Sequence, residues 1–153
     1  MSSHSVNPTV RARLALAVHA RDLADLARAL VGDLPVATLP GERIRAARLV
    51  RMLALATTDS AVLLELASGS TWAEIADALG MSEERAMQVY MDTWMRWADD
   101  RPGQGLDLDV LGDRVALDPD TAPAELAESL DQWYRRHAEP WETVSSSPVS
   151  SAL

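Results

Sequence analysis

Three residue types are missing from this chain of 153 residues: cysteine, phenylalanine and lysine. Without cysteine there is no disulfide framework and no thiolate metal site. No apolar run approaches the roughly 20 residues that a membrane span needs, and the first residues lack the apolar core of a secretory signal. We therefore expect a soluble, cytoplasmic protein with no membrane partner.

Acidic residues outnumber basic ones, and the formal net charge is −9. The two signs are unevenly distributed along the chain. Residues 1–60 carry eight arginines against five acids, for +3, whereas residues 61–153 carry six arginines against eighteen acids, for −12. Any surface that binds phosphate groups should therefore be formed mainly by residues 1–60.

Helical periodicity of the apolar residues predicts an all-α fold of about six helices. The predicted helices cover about 9–31, 41–57, 60–67, 72–79, 83–98 and 122–137. Alternating residues at about 106–117 allow a small β-hairpin. The N-terminal residues 1–8 and the Ser-rich residues 140–153 are predicted to be disordered tails, which leaves a single helical domain over 9–139.

The stretch Thr71–Tyr90, TWAEIADALGMSEERAMQVY, carries the signals of two helices joined by a tight turn. Thr71 and Glu74 have the spacing of a capping box. Gly80 suits a left-handed turn, and Ser82 can cap the second helix. The stretch resembles the helix-turn-helix of bacterial regulators, in the form that small actinobacterial proteins carry. The resemblance implies a helix-turn-helix core within 70–98 and a transcriptional regulator that binds double-stranded DNA.

In the resembling DNA-binding proteins, the early residues of the second helix approach the base edges. Carried over to this chain, those positions are Ser82, Glu83, Glu84, Met87 and Gln88. Ser and Gln are usual readers of bases. Family members usually carry Arg, Gln or Lys where this chain has Glu83 and Glu84, and paired acids are repelled by phosphate groups. This departure favours an alternative, in which the motif binds a protein.

Arginines without an intervening acid line one side of the second predicted helix: Arg43, Arg45, Arg48 and Arg51. Together with Arg85 they are candidates for contacts to DNA phosphates. Two other interpretations remain open, because these arginines can pair with the acids of residues 61–153 or stay solvated.

Methionine and tryptophan are frequent in the fifth predicted helix, 83–98. Met87, Met91 and Met95 form one stripe, and an adjacent stripe contains Trp94 and Trp97. The stripes allow two interpretations. They form part of the core beneath the last helix, or they form an exposed surface that is a dimer interface or a groove for a partner or an apolar ligand. The candidate partner or ligand residues are Trp72, Met91, Trp94, Met95 and Trp97.

Nothing in the sequence has the pattern of an active site. The three histidines are far apart in sequence, and no glycine-rich phosphate loop, metal-ligand spacing or nucleophile elbow is present. We therefore expect no enzymatic activity, no cofactor and no metal.

These patterns favour a dimeric helix-turn-helix regulator that binds DNA. The alternative is a helix-turn-helix fold used as an acidic protein–protein interaction module. A third interpretation is a small-molecule sensor in which Trp72, Trp94, Trp97 and neighbouring methionines line a pocket.

Overall fold

The computed structural model describes residues 7–99, 123–139 and 147–153, and helices dominate these ranges. Their order is α1 (Pro8–Gly32), α2 (Glu42–Ala67), α3 (Trp72–Leu79), α4 (Glu83–Ala98), α5 (Pro123–His137) and a 3₁₀ turn (Ser150–Ala152). No strand occurs in these ranges, so the all-α prediction is confirmed for them. The β-hairpin predicted near 106–117 lies outside the described residues. None of the described helices is long and apolar enough to cross a membrane.

The prediction of six helices was wrong, because the second and third predicted helices are one continuous helix, α2. The junction between them is polar, yet its hydroxyls do not interrupt the helix. Thr57 and Thr58 donate to the carbonyls of Leu53 and Ala54, four residues earlier, at 2.7 and 3.1 Å. Hydroxyls that bond back in this way leave the backbone ladder intact.

The α1 and α2 helices form an antiparallel hairpin, each about 38 Å long at 1.5 Å per residue. Asn7 caps α1 by accepting from the Thr9 N–H at 2.9 Å, and Pro8 occupies the first turn. Near the open end, the Thr9 hydroxyl donates to the Ala67 carbonyl at 3.1 Å. In the middle, buried His19 Nδ1 and Ser60 Oγ share a hydrogen bond of 2.7 Å. These two contacts fix the register of the hairpin.

The main apolar core lies between α1 and α5. Its buried members are Leu14, Ala15, Val18, Leu126, Ala127 and Leu130. Trp97 of α4 and Val149 near the C-terminus pack against it. The core therefore occupies the half of the hairpin near the N-terminus of α1.

The other half of the hairpin, residues 31–55, projects as an arm. Seven of the ten large hydrophobic residues that are exposed in the described structure belong to it: Val31, Leu34, Val36, Leu39, Ile44, Met52 and Leu55. Its loop is nevertheless fixed, since the Arg43 guanidinium donates to the carbonyls of Leu34 and Val36 at 3.1 and 2.9 Å. The arm thus presents an ordered apolar surface that the rest of the described chain leaves uncovered.

The last seven residues, 147–153, lie against α5. Buried Asp131 accepts the backbone N–H groups of Val149 and Ser150, at 2.8 and 3.1 Å, and the Ser150 hydroxyl. Burial acts to raise the pKa of Asp131, but these hydrogen bonds, with the Arg135 charge, outweigh it and hold the pKa below its usual range. One buried carboxylate therefore anchors residues 147–153, at the end of the tail for which the sequence predicts disorder.

We predict that Asp131→Ala lowers the free energy of unfolding by about 1–3 kcal/mol at pH 7, since it removes a charged acceptor of three hydrogen bonds. A lowered folded-state pKa means that this contribution is present above the ordinary pKa of aspartic acid and is lost as the pH falls through the lowered value. Urea denaturation measures the loss, and hydrogen exchange should show faster exchange at the Val149 and Ser150 amides. Glu128→Ala, an exposed position on α5, is the control. Amides that stay protected in Asp131→Ala would contradict the anchor.

Candidate nucleic-acid interface

A reciprocal pair of hydrogen bonds begins α3. The Thr71 N–H donates to the Glu74 carboxylate at 2.7 Å, and the Glu74 N–H donates to the Thr71 hydroxyl at 3.3 Å. The bond from the Thr71 backbone N–H, followed by that from its hydroxyl, lowers the pKa of the Glu74 carboxyl. The predicted capping box is present, and α3 begins and ends where the sequence predicted.

A tight turn joins α3 to α4. Gly80 has φ +66° and ψ +35°, the left-handed conformation that ends a helix. The Met81 N–H donates to the Ala76 carbonyl at 3.0 Å, and the Ser82 hydroxyl accepts the Arg85 N–H at 3.2 Å. Three local features therefore set the angle between the two helices: the left-handed glycine, the return bond and the serine cap.

The α3–α4 unit is seated on α2 by a second apolar cluster. Buried Val62, Ile75 and Tyr90, one from each helix, form its centre. At the other end of α4, the Arg11 guanidinium lies over the Trp97 ring, 4.2 Å from the centroid, and donates to the Trp97 carbonyl at 2.6 Å. The α4 helix is thus fastened to α2 by Tyr90 and to α1 by Trp97.

Where α4 crosses α2, Tyr90 and Asp59 share a hydrogen bond between their side chains. Partial burial raises the pKa of the Asp59 carboxyl, and the Tyr90 hydrogen bond and the nearby His19 only partly offset this. Burial and the Asp59 carboxyl together raise the pKa of the Tyr90 hydroxyl. The sequence did not single out Asp59 or Arg11, because both contacts join residues that are far apart in the chain.

The predicted base-reading positions lie along the exposed side of α4 and at its cap. Ser82, Glu83, Glu84, Arg85 and Gln88 are exposed, and Met87 is half-buried. The Arg85 guanidinium donates to the Gln88 side-chain carbonyl at 2.7 Å. The opposite side of the helix, with Ala86 and Tyr90, is buried. A rigid helix therefore presents these polar side chains to solvent.

The structure divides the four arginines of α2 into two pairs. At about 100° per residue, Arg48 and Arg51 lie within about 40° of Val62 around the helix axis, on the side of α2 where α3 and α4 pack. Along the axis they are about 21 and 16 Å from Val62. Arg43 and Arg45 lie about 100° away on either flank, and Arg43 holds the arm loop.

These arginines do not pair with the acids of the described chain. Within residues 7–99, 123–139 and 147–153, no carboxylate lies within ion-pair distance of Arg45, Arg48 or Arg51. All three are exposed. Within these ranges their positive charge is therefore not balanced by a neighbouring carboxylate.

The tryptophans proposed to line a ligand pocket do not converge. Trp72 packs on the Val62 cluster, and Trp97 packs on the α1–α5 core. Met91 and Trp94 are half-buried, whereas Met95 is 61% exposed. A small apolar cavity of about 190 Å³ lies elsewhere, lined by Ala17, Ala20, Arg21, Leu130, Trp133, Tyr134, Pro148 and Val149. Drug-sized ligands usually occupy roughly 300–1,000 Å³, so this cavity is smaller than a usual ligand site.

In the described part of the chain, no cluster of three or more histidine, aspartate or glutamate side chains is placed to hold a metal ion. Comparison with protein-family models, with curated proteins and with solved structures gives no match to this chain.

We predict that Gly80→Ala lowers the free energy of unfolding by about 1–2 kcal/mol, because a side chain is strained in the left-handed conformation. Space is not the cause, since a Cβ at Gly80 would meet no atom within 4 Å. Gly32→Ala is the matched control, with equally open space and no positive φ. Urea denaturation of both variants is the measurement, and equal losses would contradict the strain argument.

We predict that Asp59→Asn raises the free energy of unfolding at pH 7. A raised folded-state pKa means that Asp59 contributes stability below its unfolded pKa and loses it as the pH rises through the folded value. The amide keeps an acceptor for Tyr90 without the charge. The difference in the free energy of unfolding between the variant and the wild type should vanish near pH 3. Urea denaturation at pH 7 and at pH 3 measures it. Asp77→Asn, an exposed acid on α3, controls for the loss of one negative charge, and an equal gain there would contradict the prediction.

Proposed function

We propose that the protein is a helix-turn-helix DNA-binding transcriptional regulator, with α4 as its recognition helix. The observation that carries the proposal is that α4 has one side buried in the core and an opposite side of polar residues exposed to solvent. Ala86 and Tyr90 fix the helix in the core, while Ser82, Arg85 and Gln88 remain exposed. This arrangement is the one by which a recognition helix enters the major groove.

The arginines of α2 support a role in phosphate contacts. Arg48 and Arg51 lie on the side of α2 that carries the α3–α4 unit and have no carboxylate partner in the described ranges. Their separation from Val62, about 16–21 Å, is well within one turn of B-DNA, roughly 34 Å. Phosphates flanking the groove occupied by α4 are therefore within their range.

The charge of the recognition unit limits its affinity. Residues 71–99 carry six acids against two arginines, for −4. Glu83 and Glu84 start the recognition helix, where they favour its dipole but repel phosphates. Binding therefore depends on the arginines of α2 and falls steeply as salt is added.

The same negative charge favours a second candidate function, an acidic module that binds a basic protein surface. In the described structure, Glu83 and Glu84 are exposed and have no basic side chain within ion-pair distance. Electrostatic steering of a basic partner needs charges of this kind.

We predict saturable binding of the protein to labelled random-sequence duplex DNA at low salt. Each added phosphate contact should steepen the decline with salt, at about 0.9 unit in the slope of log K against log salt concentration. Arg48→Glu should weaken binding about tenfold or more by removing one phosphate contact and adding one repulsion. Fluorescence anisotropy at several salt concentrations measures both effects.

Arg28→Glu is the matched control, because it makes the same charge change on the opposite side of the hairpin. Arg28 pairs with Asp25, which accepts the Trp133 indole N–H from α5. A variant there should bind DNA nearly as well as wild type. Absence of DNA binding at tens of micromolar protein would overturn the regulator proposal and favour the acidic interaction module.

A further inference from the structure

The side of α2 that faces away from α1 has the outline of a step. Val62, on this side, is covered by Ile75 and Tyr90, so α3 and α4 form a block over the last turns of α2. Along the arm, the same side is not covered by any described residue. We call its residues there the ledge: Ile44, Arg48, Arg51, Met52 and Leu55.

The ledge combines apolar area with positive charge. Ile44 and Leu55 lie within about 20° of Val62 around the helix axis, and buried Leu53 lies on the opposite side, towards α1. Ile44 is 69% exposed and Leu55 56% exposed. Arg48 and Arg51 stand between them without a carboxylate partner in the described ranges. A molecule that covers the ledge must supply both apolar contact and negative charge.

The outer face of α4, on the top of the block, has the complementary composition. Its residues are Glu84, Gln88, Met91, Asp92 and Met95, all about 100° or more from Tyr90 around the axis. Met95 is 61% exposed. Among the described residues, no basic side chain lies within ion-pair distance of Glu84 or Asp92. This face therefore offers methionine contact together with unpaired carboxylates.

We propose that two copies of this chain form a two-fold dimer in which the outer face of each α4 lies on the ledge of the other copy. The two faces have equal lengths, since 44–55 and 84–95 each span eleven residue steps, or about 17 Å. In the antiparallel register Ile44 lies opposite Met95, and Arg48 lies opposite Met91, one residue from Asp92. Each copy has one raised face, on α4, and one recessed face, the ledge. Two copies related by a two-fold axis can therefore form both contacts at once, and no face is left for a third copy.

Self-pairing of two ledges fits less well. It would place Arg48 of one copy against Arg51 of the other, and like charges in contact oppose association. The reciprocal arrangement instead brings Arg48 next to Asp92 at both contacts. Two such contacts, each between helix faces about 17 Å long and about 10 Å wide on both copies, cover on the order of 700 Å² in total, the size of a weak, concentration-dependent interface.

This dimer covers Arg48 and Gln88, which the proposed DNA-binding surface also uses. Self-association and DNA binding therefore exclude each other. The dimer itself does not depend on the proposed function, and sedimentation without DNA tests it separately.

The first test exchanges the charges of Arg48 and Asp92 by substitution. Sedimentation velocity at low salt then measures the dimer Kd of each variant. Arg48→Glu and Asp92→Arg should each raise the dimer Kd about tenfold or more, because each change occurs at two contacts. The double variant should return to within about threefold of wild type. Arg28→Glu, away from both faces, should leave the Kd unchanged, and circular dichroism checks that every variant is folded.

DNA binding separates the two proposals. Asp92→Arg should bind duplex DNA more tightly than wild type, since it removes an acid from the recognition helix and weakens the competing dimer. Arg48→Glu should weaken both activities. The double variant should dimerise without recovering the DNA phosphate contact of Arg48.

The absence of cysteine from the chain allows a second test of the register. The variant with both Ile44→Cys and Met95→Cys should form disulfide-linked dimers under mild oxidation, visible on a non-reducing gel. Either substitution alone should cross-link far less. A wild-type protein that stays monomeric at hundreds of micromolar overturns the proposal. Failure of the double charge variant to recover, or efficient linking by the Ile44→Cys variant alone, overturns this interface.

Discussion

The continuity of α2 through Thr57–Ser60 is the constraint on which the rest of the structure depends. Because the helix is unbroken, its outer side is a single surface from Ile44 to Val62. One part of that surface is covered by α3 and α4, and the other part, the ledge, is left uncovered by the described residues. A break at this point would have allowed the arm to take another direction. The position of α4 relative to the arginines of α2 follows from this one helix.

Two different kinds of contact hold α4 on this frame. Tyr90 combines apolar packing on Val62 with a hydrogen bond to Asp59, and Trp97 joins the α1–α5 core beneath the Arg11 guanidinium. Both use the inner side of the helix only. The outer side takes no part in these two contacts, so its acids and methionines are the residues that the proposed interactions would use.

Acidic and basic residues lie on different parts of the described surface. The α3–α4 unit is acidic, whereas the ledge beside it carries arginines without carboxylate partners in the described ranges. DNA and a second copy of the chain would therefore compete for the same positive surface. Both proposed interactions would strengthen at low ionic strength, because screening decreases, so the balance between them would depend on protein concentration as well as on salt.

Local signals in the sequence determined the all-helical class of the described ranges, the bounds of α3 and the start of α4. Capping boxes, serine caps and a left-handed glycine act within three or four residues, so their spacing can be read directly. Tertiary structure alone decided that Thr57–Ser60 continues a helix, that Asp131 anchors residues 147–153 and that Asp59 meets Tyr90. Each of these depends on partners outside the local sequence, or on hydroxyls that bond backward instead of capping. The side of α2 shared by the arginines and the α3–α4 unit also required the fold, because no local pattern states which face a later helix will cover.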